Sequence, residues 1–539
     1  MATTPVNPAA PPTTQRLVRS ALVVMAGFVL TKGVSFLQAV IIADRFGAGA
    51  EYDTFVQGNT LPDYLVRLIG GGALGVAFIP VFSALLNDDD NDGAWRLASQ
   101  VFNTLLVVAL AASVFVIIFA PLLVDYIIAP GLNDADAAQT AEIMRILSMG
   151  TVIFSVSGIL SGVLHGHNHF FLPVLAPIFQ DVGLLIGVIA LTGPFGIHGL
   201  AWGTLMGALM HFGIQIPGLF MFKVTWKPLL GWNDPRLRHV IKLMLPRVLI
   251  GAAFLVNLIV IGNINSRLGE GAASAFGWAL RFMDIPQALI GTATGIVIFP
   301  TLSALSSMGR VEERRAAFAG ALRFILVASI PGAVGLVLVV NPALRILFDA
   351  EETARIFTAV QIMSLAIIIQ SLHEILTRAF YAQQDTLRPL IFSVIATVIT
   401  VATVVGMYGI FRAVDPPLWS PLAVGGPALG YVVSFAVEVL LLATVLRKRW
   451  GDIALPELMN TGLRTIAATL VMAVAVLIVD RLMVEAGFGT YTAARIVIRV
   501  GVDVVVGGVT WLAAAWIIGV RELREIPGLL RARVSEAAA

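Results

Sequence analysis

The sequence predicts an all-α, polytopic membrane protein of about 14 transmembrane helices, built as two parallel-repeat six-helix lobes plus two extra C-terminal helices. Three observations carry this. The 539 residues are 58% hydrophobic and only 13% charged, with a mean hydropathy of +0.90; a globular chain carries about twice that charged share. Apolar runs of the length that crosses a bilayer core as a helix recur from Ala21 to Val520. The second half of the chain also repeats the first.

Cutting the apolar runs at polar or Gly/Pro-rich breaks places spans at 21–44, 61–86, 98–129, 139–164, 169–193, 196–222, 239–265, 273–306, 318–342, 354–382, 386–411, 422–446, 460–483 and 494–519. Residues 1–20 are Pro/Thr-rich at the start and expected to be a disordered cytoplasmic segment. The first apolar run is longer than a signal-peptide core and has no clear cleavage site, so it reads as a retained helix. The remaining organisation is an N-lobe over 21–222, a cytoplasmic linker over 223–238, a C-lobe over 239–446, the last two spans within 447–519 and a cytoplasmic tail over 520–539. That tail is short, basic and amphipathic, which predicts a helix on the membrane surface. With an even span count and a cytoplasmic N-terminus, cytoplasmic segments and the span ends beside them hold 22 Lys/Arg against 7 on the outer side, with six more inside spans, the asymmetry of the positive-inside rule. The absence of cysteine excludes disulfides, thiolate metal sites and cysteine nucleophiles.

The repeat rests on three matches in order. "RFGAGA" at 45–50 pairs with "RLGEGA" at 267–272, and "GVAFIPVFSAL" at 75–85 with "GIVIFPTLSAL" at 295–305. "LHGHNHFFLP" at 164–173 lines up with "FYAQQDTLRP" at 380–389, sharing mainly the proline. Each offset crosses an even number of spans, so the halves share one orientation, the plan of transporters that alternate access between lobes. Within the repeat, Arg67, Gly71 and Gly75 fall on one helix face, and Gln287, Gly291 and Gly295 occupy the equivalent places. The shared glycines have the spacing that allows close helix approach. Pro80 and Pro300 mark a shared bend, and the arginine is what the halves do not share.

An ionisable side chain within a span costs about 2.5–3.5 kcal/mol on insertion scales, so each asks for a reason. Lys32 and Arg67 have no acid one turn away except Asp63, and they are expected to face a water-filled cavity. Arg281 has Asp284 at i+3, and Glu374 has Arg378 at i+4, the spacing of intrahelical ion pairs or of gating charges. Arg145 and Arg499 lie near span ends and are expected to snorkel. Three cations from the first, second and eighth spans suit an anion, and Arg pairs bidentately with phosphate oxygens. No catalytic set accompanies them. The His165, His167 and His169 cluster has neither the spacing nor the nearby acid of a metal site, and "GGGALG" lacks the Lys-Ser/Thr of a phosphate-binding loop. Neither a cofactor, a metal nor a nucleic-acid partner is expected.

The segments "RFGAGAEYDTF…LPDYLVRLIGGGALGVAFIPVFSALL", "SGVLHGHNHFFLPVLAPIF", "WALRFMDIPQALIGTATGIVIFPTLSAL" and "RAFYAQQDTLRP" resemble the MurJ/MviN family of lipid II flippases. That family lies within the multidrug/oligosaccharidyl-lipid/polysaccharide exporter superfamily. The resemblance runs from about residue 20 to 450. It implies a bacterial cell-membrane protein that moves the undecaprenyl-diphosphate-linked peptidoglycan precursor between leaflets, with basic cavity residues holding the diphosphate. It implies as site residues Asp53 for the family's acid after the first span, Arg67 for the second arginine of its second-span pair, and Arg281 for its eighth-span arginine. The chain departs from the pattern in several places. The first-span arginines become Lys32 and Gln38 and the acid Ala39; the second-span partners become Val66 and Gly71; and Leu280 stands before Arg281 where an aspartate is usual. The seventh span carries Asn257, Asn263 and Asn265 but no carboxylate, which argues against sodium coupling there.

The expected partners are therefore the polyprenyl-diphosphate-linked glycan, membrane lipids and the cell-wall synthesis machinery. Two other readings fit the same spans: an exporter of another lipid-linked oligosaccharide or of drugs, and a transport-inactive scaffold for cell-wall enzymes.

Overall fold

The computed structural model describes residues 14–69, 72–167, 169–222, 224–414, 421–451, 453–489 and 492–523. Their regular structure is helical: α1 (Thr14–Phe46), α2 (Ala50–Ile69), α3 (Gly72–Asn87), α4 (Asn91–Ile128), α5 (Asp134–Gly166), α6 (Phe171–Phe195), α7 (His198–Met221), α8 (Pro235–Arg267), α9 (Ala272–Ser307), α10 (Val311–Leu347), α11 (Ala350–Tyr381), α12 (Leu387–Val414), α13 (Pro421–Trp450), α14 (Leu455–Phe488) and α15 (Ala493–Ile518). Among the described residues twelve helices, α4 to α15, are long and apolar enough to cross a membrane. They coincide one for one with the predicted spans from 98–129 to 494–519.

Differences concentrate at the N-terminal end. α1 begins at Thr14, after the last proline of the Pro-rich segment, so 14–20 are helical where composition predicts disorder. The second predicted span, 61–86, falls on α2 and α3, between which Gly70 and Gly71 lie outside the described residues. Gly71 lies outside the described residues, as do 1–13 and the tail from 524 on.

The chain forms two compact units. One comprises the residues up to Arg45 together with Gly58–Val124 and Ala138–Gly251. Its apolar core holds Phe78, Phe82, Trp95, Ile159, Val163 and Leu237, with the Phe82 ring 5.0 Å from Phe78 and 5.7 Å from Trp95. α6 and α7 pack backbone to backbone through glycines. A Cβ at Gly183 would stand 2.3 Å from Gly207 Cα, and one at Gly203 2.6 Å from Gly187 Cα. Gly203→Val therefore has no room, and the helices must part. Overpacking of this kind costs about 1–3 kcal/mol or more, and the variant is expected to lose thermal stability in detergent while Gly193→Ala, in open space, keeps it. Equal melting temperatures for the two would refute the packing.

The other unit comprises Phe46–Gln57, Asp125–Ala137 and the residues from Ala252 onward. Its core holds Leu302, Phe318, Ile375, Phe380, Leu446 and Trp450. The start of α11 is fixed by a capping box in which Asp349 accepts from Glu352 N, and the Glu352 carboxylate accepts from Asp349 N. α9 lies against α11 through its glycines: a Cβ at Gly291 would meet Ser371 Oγ at 2.7 Å, and one at Gly295 would meet Arg378 Nε at 2.6 Å. Pro80 and Pro300 both lie inside helices, exposed. α14 pairs with α15 and packs on α10. The outer face of α14 leaves Leu463, Leu470, Val474 and Leu477 more than half exposed. Such an apolar helical face suits lipid rather than water.

Candidate functional site

Asp53 is the best-defined of the candidate residues. It lies in the first turn of α2, ahead of the apolar stretch that spans, and it is 3% exposed. Its Oδ2 accepts from Gly271 N and its Oδ1 from Ser274 N, both at 2.6 Å. Those two N–H groups belong to the beginning of α9, where the first turn of a helix has no intrahelical acceptors. Asp53 thus caps α9 from another segment, with its negative charge at the positive end of the helix dipole. Burial pushes its carboxyl up to about 7, outweighing the backbone and hydroxyl donors that pull it down.

Around this contact segment 46–57 is bound along its length. Trp278 Nε1 donates to Gly47 O at 3.1 Å, Ala48 N to Glu352 Oε1 at 2.6 Å, and Ala50 N to Glu270 Oε1 at 3.2 Å. Gln57 Nε2 donates to Gly262 O at 3.0 Å, and Tyr52 stacks on Trp278 with centroids 5.1 Å apart. Gly271 has φ +82°, and a Cβ there would come 2.5 Å from Ala48 O, so both conformation and proximity demand glycine. Segment 125–137 is tied to the same unit by Asn263 Nδ2 donating to Ile127 O at 2.8 Å and Gly131 N donating to Ser266 Oγ at 3.1 Å. We call this set of bonds the latch.

Lys32, Gln38 and Arg67 belong to the first unit and Arg281 to the second. Arg67 is exposed and pairs with Asp63 at 2.8 Å, so the arginine does have its one available acid. Lys32 is partly buried; Gln38 is buried, with Nε2 unpartnered among the described residues. Arg281 sits with its guanidinium 5.4 Å from the centre of the Trp278 ring and close enough to Tyr52 to act on its hydroxyl. Asp284 is exposed. Glu374 and Arg378 form the intrahelical ion pair, with Arg378 Nε donating at 3.1 Å.

Arg145 Nε donates to Ile117 O at 3.1 Å. One expectation is corrected. Arg499 is only 15% exposed and grips both oxygens of Asp480, at 2.5 and 2.8 Å. Sequence reasoning also missed a buried polar set, in which Glu438 meets His373 Nε2 at 3.1 Å and accepts from Ser393 Oγ at 2.5 Å. It missed Glu270, Glu352, Gly271 and Ser274 of the latch as well. The histidine cluster packs on aromatic rings, with His167 stacked 4.3 Å from Phe222 and His165 5.4 Å from Phe170.

Repeated halves of membrane-spanning helices with charges inside the spans define the class of two-lobed membrane transporters. Solved structures of that class share the fold. That of a "Lipid II flippase MurJ, inward closed conformation" aligns with TM-score 0.74 at 19% identity, covering 92% of this chain and 99% of that one. That of an inward-facing "multidrug resistance MATE family transporter of the MOP superfamily" aligns with TM-score 0.64 at 16% identity, covering 80% and 99%. Sequence narrows the class. The family described as "Lipid II flippase MurJ" matches residues 42–497. "Lipid II flippase MurJ" of Burkholderia cenocepacia is 31% identical over 469 residues, 84% of this chain and 88% of that protein. "Probable lipid II flippase MurJ" of Bdellovibrio bacteriovorus is 25% identical over 536 residues, 95% and 97% of the two chains. The chain belongs to the lipid II flippase MurJ family.

Proposed function

We propose that this chain moves lipid II, the polyprenyl-diphosphate-linked peptidoglycan precursor, from the cytoplasmic to the outer leaflet by alternating access, for cell-wall biosynthesis. The match of residues 42–497 to the family carries this reading. Arg67, Arg281 and Lys32 attract the diphosphate, each arginine offering a planar fork that matches phosphate oxygens. Gln38 adds an amide. The polyprenyl tail stays in lipid along the apolar faces of α14 and α15, so only the polar head crosses. Asp53 holds the outer side shut through the latch, and release of segment 46–57 from Gly271 and Ser274 opens it. Asp284 and the Glu374–Arg378 pair take part in gating, while Gly71, Gly75, Gly291 and Gly295 with Pro80 and Pro300 set helix approach.

In this reading both termini are cytoplasmic, as the 22-to-7 distribution of Lys/Arg supports. The six-span lobes are 21–222 and 239–446, and cell-wall enzymes are the partners on the product side. The protein is a transporter rather than a catalyst of bond chemistry. A drug exporter fits less well, because the candidate cavity residues are cations rather than carboxylates. Complementation tests the function in cells: the chain is expected to support growth of a strain depleted of its own lipid II flippase. A membrane-inserted protein that fails to do so would favour the scaffold or another lipid-linked glycan as cargo.

A further inference from the structure

α14 and α15 hold a group of charges for which the flippase reading has no use. Asp503 lies ten residues into α15, about 15 Å along the helix at 1.5 Å per residue. It is 1% exposed, and neither carboxylate oxygen receives a hydrogen bond from an N–H or O–H donor among the described residues. Its polar neighbours are the Asp480 carboxyl of α14 and Arg499, one turn away on its own helix. The Arg499 guanidinium is already directed at both oxygens of Asp480.

Two carboxylates this close in a low-dielectric setting do not both ionise, because each raises the cost of charging the other. One arginine neutralises one of them. Electrical balance therefore leaves one proton on the acid pair, bridging Asp503 and Asp480 where no other donor reaches Asp503. The surrounding helices carry a few other ionisable groups. Arg481 pairs with Glu485 and Arg495 donates to Gly487 O, both at the 484–492 end. α10 has none between Arg323 and Arg345, and α9 contributes Asp284 beside the lining residue Ile285.

Asp503 also lines a cavity of about 570 Å³. Its walls include Gly507 and Trp511 of α15, Pro331 of α10, and Ile285 and Pro286 of α9. The Trp511 indole N–H has no hydrogen-bond partner among the described residues. Ile285 stands one helical turn beyond Arg281, and the next turn of α9 is a π-helical segment, Ala288–Thr292, a feature often found where a helix changes shape for function.

We propose that Asp503 and Asp480, with Arg499, form a proton-binding site, and that its proton is exchanged for the cargo during transport, entering from the outer side and leaving inward. A cation-binding alternative is disfavoured by Arg499 beside the pair. The coupling rests on the flippase reading; the shared proton does not.

Two measurements separate them. Infrared spectra of the purified protein in lipid nanodiscs are expected to show a protonated carboxyl at neutral pH that vanishes in Asp503→Asn and returns in Asp503→Glu. Spectra of wild type and Asp503→Asn that superimpose overturn the site. In proteoliposomes held at fixed membrane potential, an acid exterior is expected to shift the steady-state outer-to-inner ratio of lipid II by about tenfold per pH unit, one proton's worth. Asp503→Asn is expected to lose that response while still equilibrating the lipid. A wild-type ratio indifferent to the gradient overturns the coupling. A wild type that moves no lipid II under any gradient overturns the flippase reading and the coupling with it, leaving the infrared result to decide the proton.

Discussion

Asp53→Ala is expected to abolish growth support while the protein still inserts. The substitution removes one carboxylate and strands two N–H groups, those of Gly271 and Ser274, at a helix end with no substitute acceptor. Each buried donor left unmade costs about 1–3 kcal/mol, so the closed latch weakens by a factor on the order of 10² in its ratio to the open form. Asp53→Asn is expected to fall between, because its amide NH2 faces a donor where the carboxylate accepted.

The same carboxyl makes the latch sensitive to pH, and the sign is fixed by burial. In the closed latch Asp53 titrates at about 7, against an ordinary value of 3.8 once hydrated. Between those values the closed form binds more protons, so acidification through that window favours closure; above 7 closure is at its weakest. The chain has no cysteine, so a thiol at the buried Ala48 reports opening without background. Labelling of Ala48→Cys, normalised to an exposed cysteine, is expected to be slower at pH 5 than at pH 8. Asp53→Asn is expected to remove the step; a step that persists there assigns it to another group.

Arg281→Ala and Arg67→Ala are expected to lose transport without losing protein. Arg281 makes no ion pair among the described residues and rests on Trp278, so its removal relieves an insertion cost of about 2.5–3.5 kcal/mol. Arg67 pairs with Asp63 in the open, a contact worth about 0–1 kcal/mol. Neither change harms the fold, which makes activity a clean reading of cargo binding. Hydrogen bonds to charged groups contribute about 1.5–3 kcal/mol each, so each variant is expected to bind the diphosphate about 10- to 100-fold more weakly. Lysine at position 281 would restore charge but not the bidentate fork. Wild-type transport by both alanine variants would remove these residues from the cargo site.

The helices were legible because span length and hydropathy are local properties, and α4 to α15 fall where the apolar runs place them. The latch was hidden because a carboxylate bound to backbone N–H leaves no mark at positions 271 and 274. One signal did exist: the repeated turns 45–50 and 267–272 are the segments that come together, with Glu270 holding Ala50 N and Gly271 against Ala48. Arg499 was misread from its nearness to a span end, when its partner lay across the α14–α15 hairpin at Asp480. The Glu438 set joins α11, α12 and α13, which no single stretch of sequence reveals.

The most direct test is the leaflet distribution of lipid II in liposomes holding the purified chain. Head-labelled lipid II placed in one leaflet is expected to reach the other with the wild type and to stay where it was placed with Arg281→Ala. Redistribution no faster with the wild type than in protein-free liposomes would contradict the account.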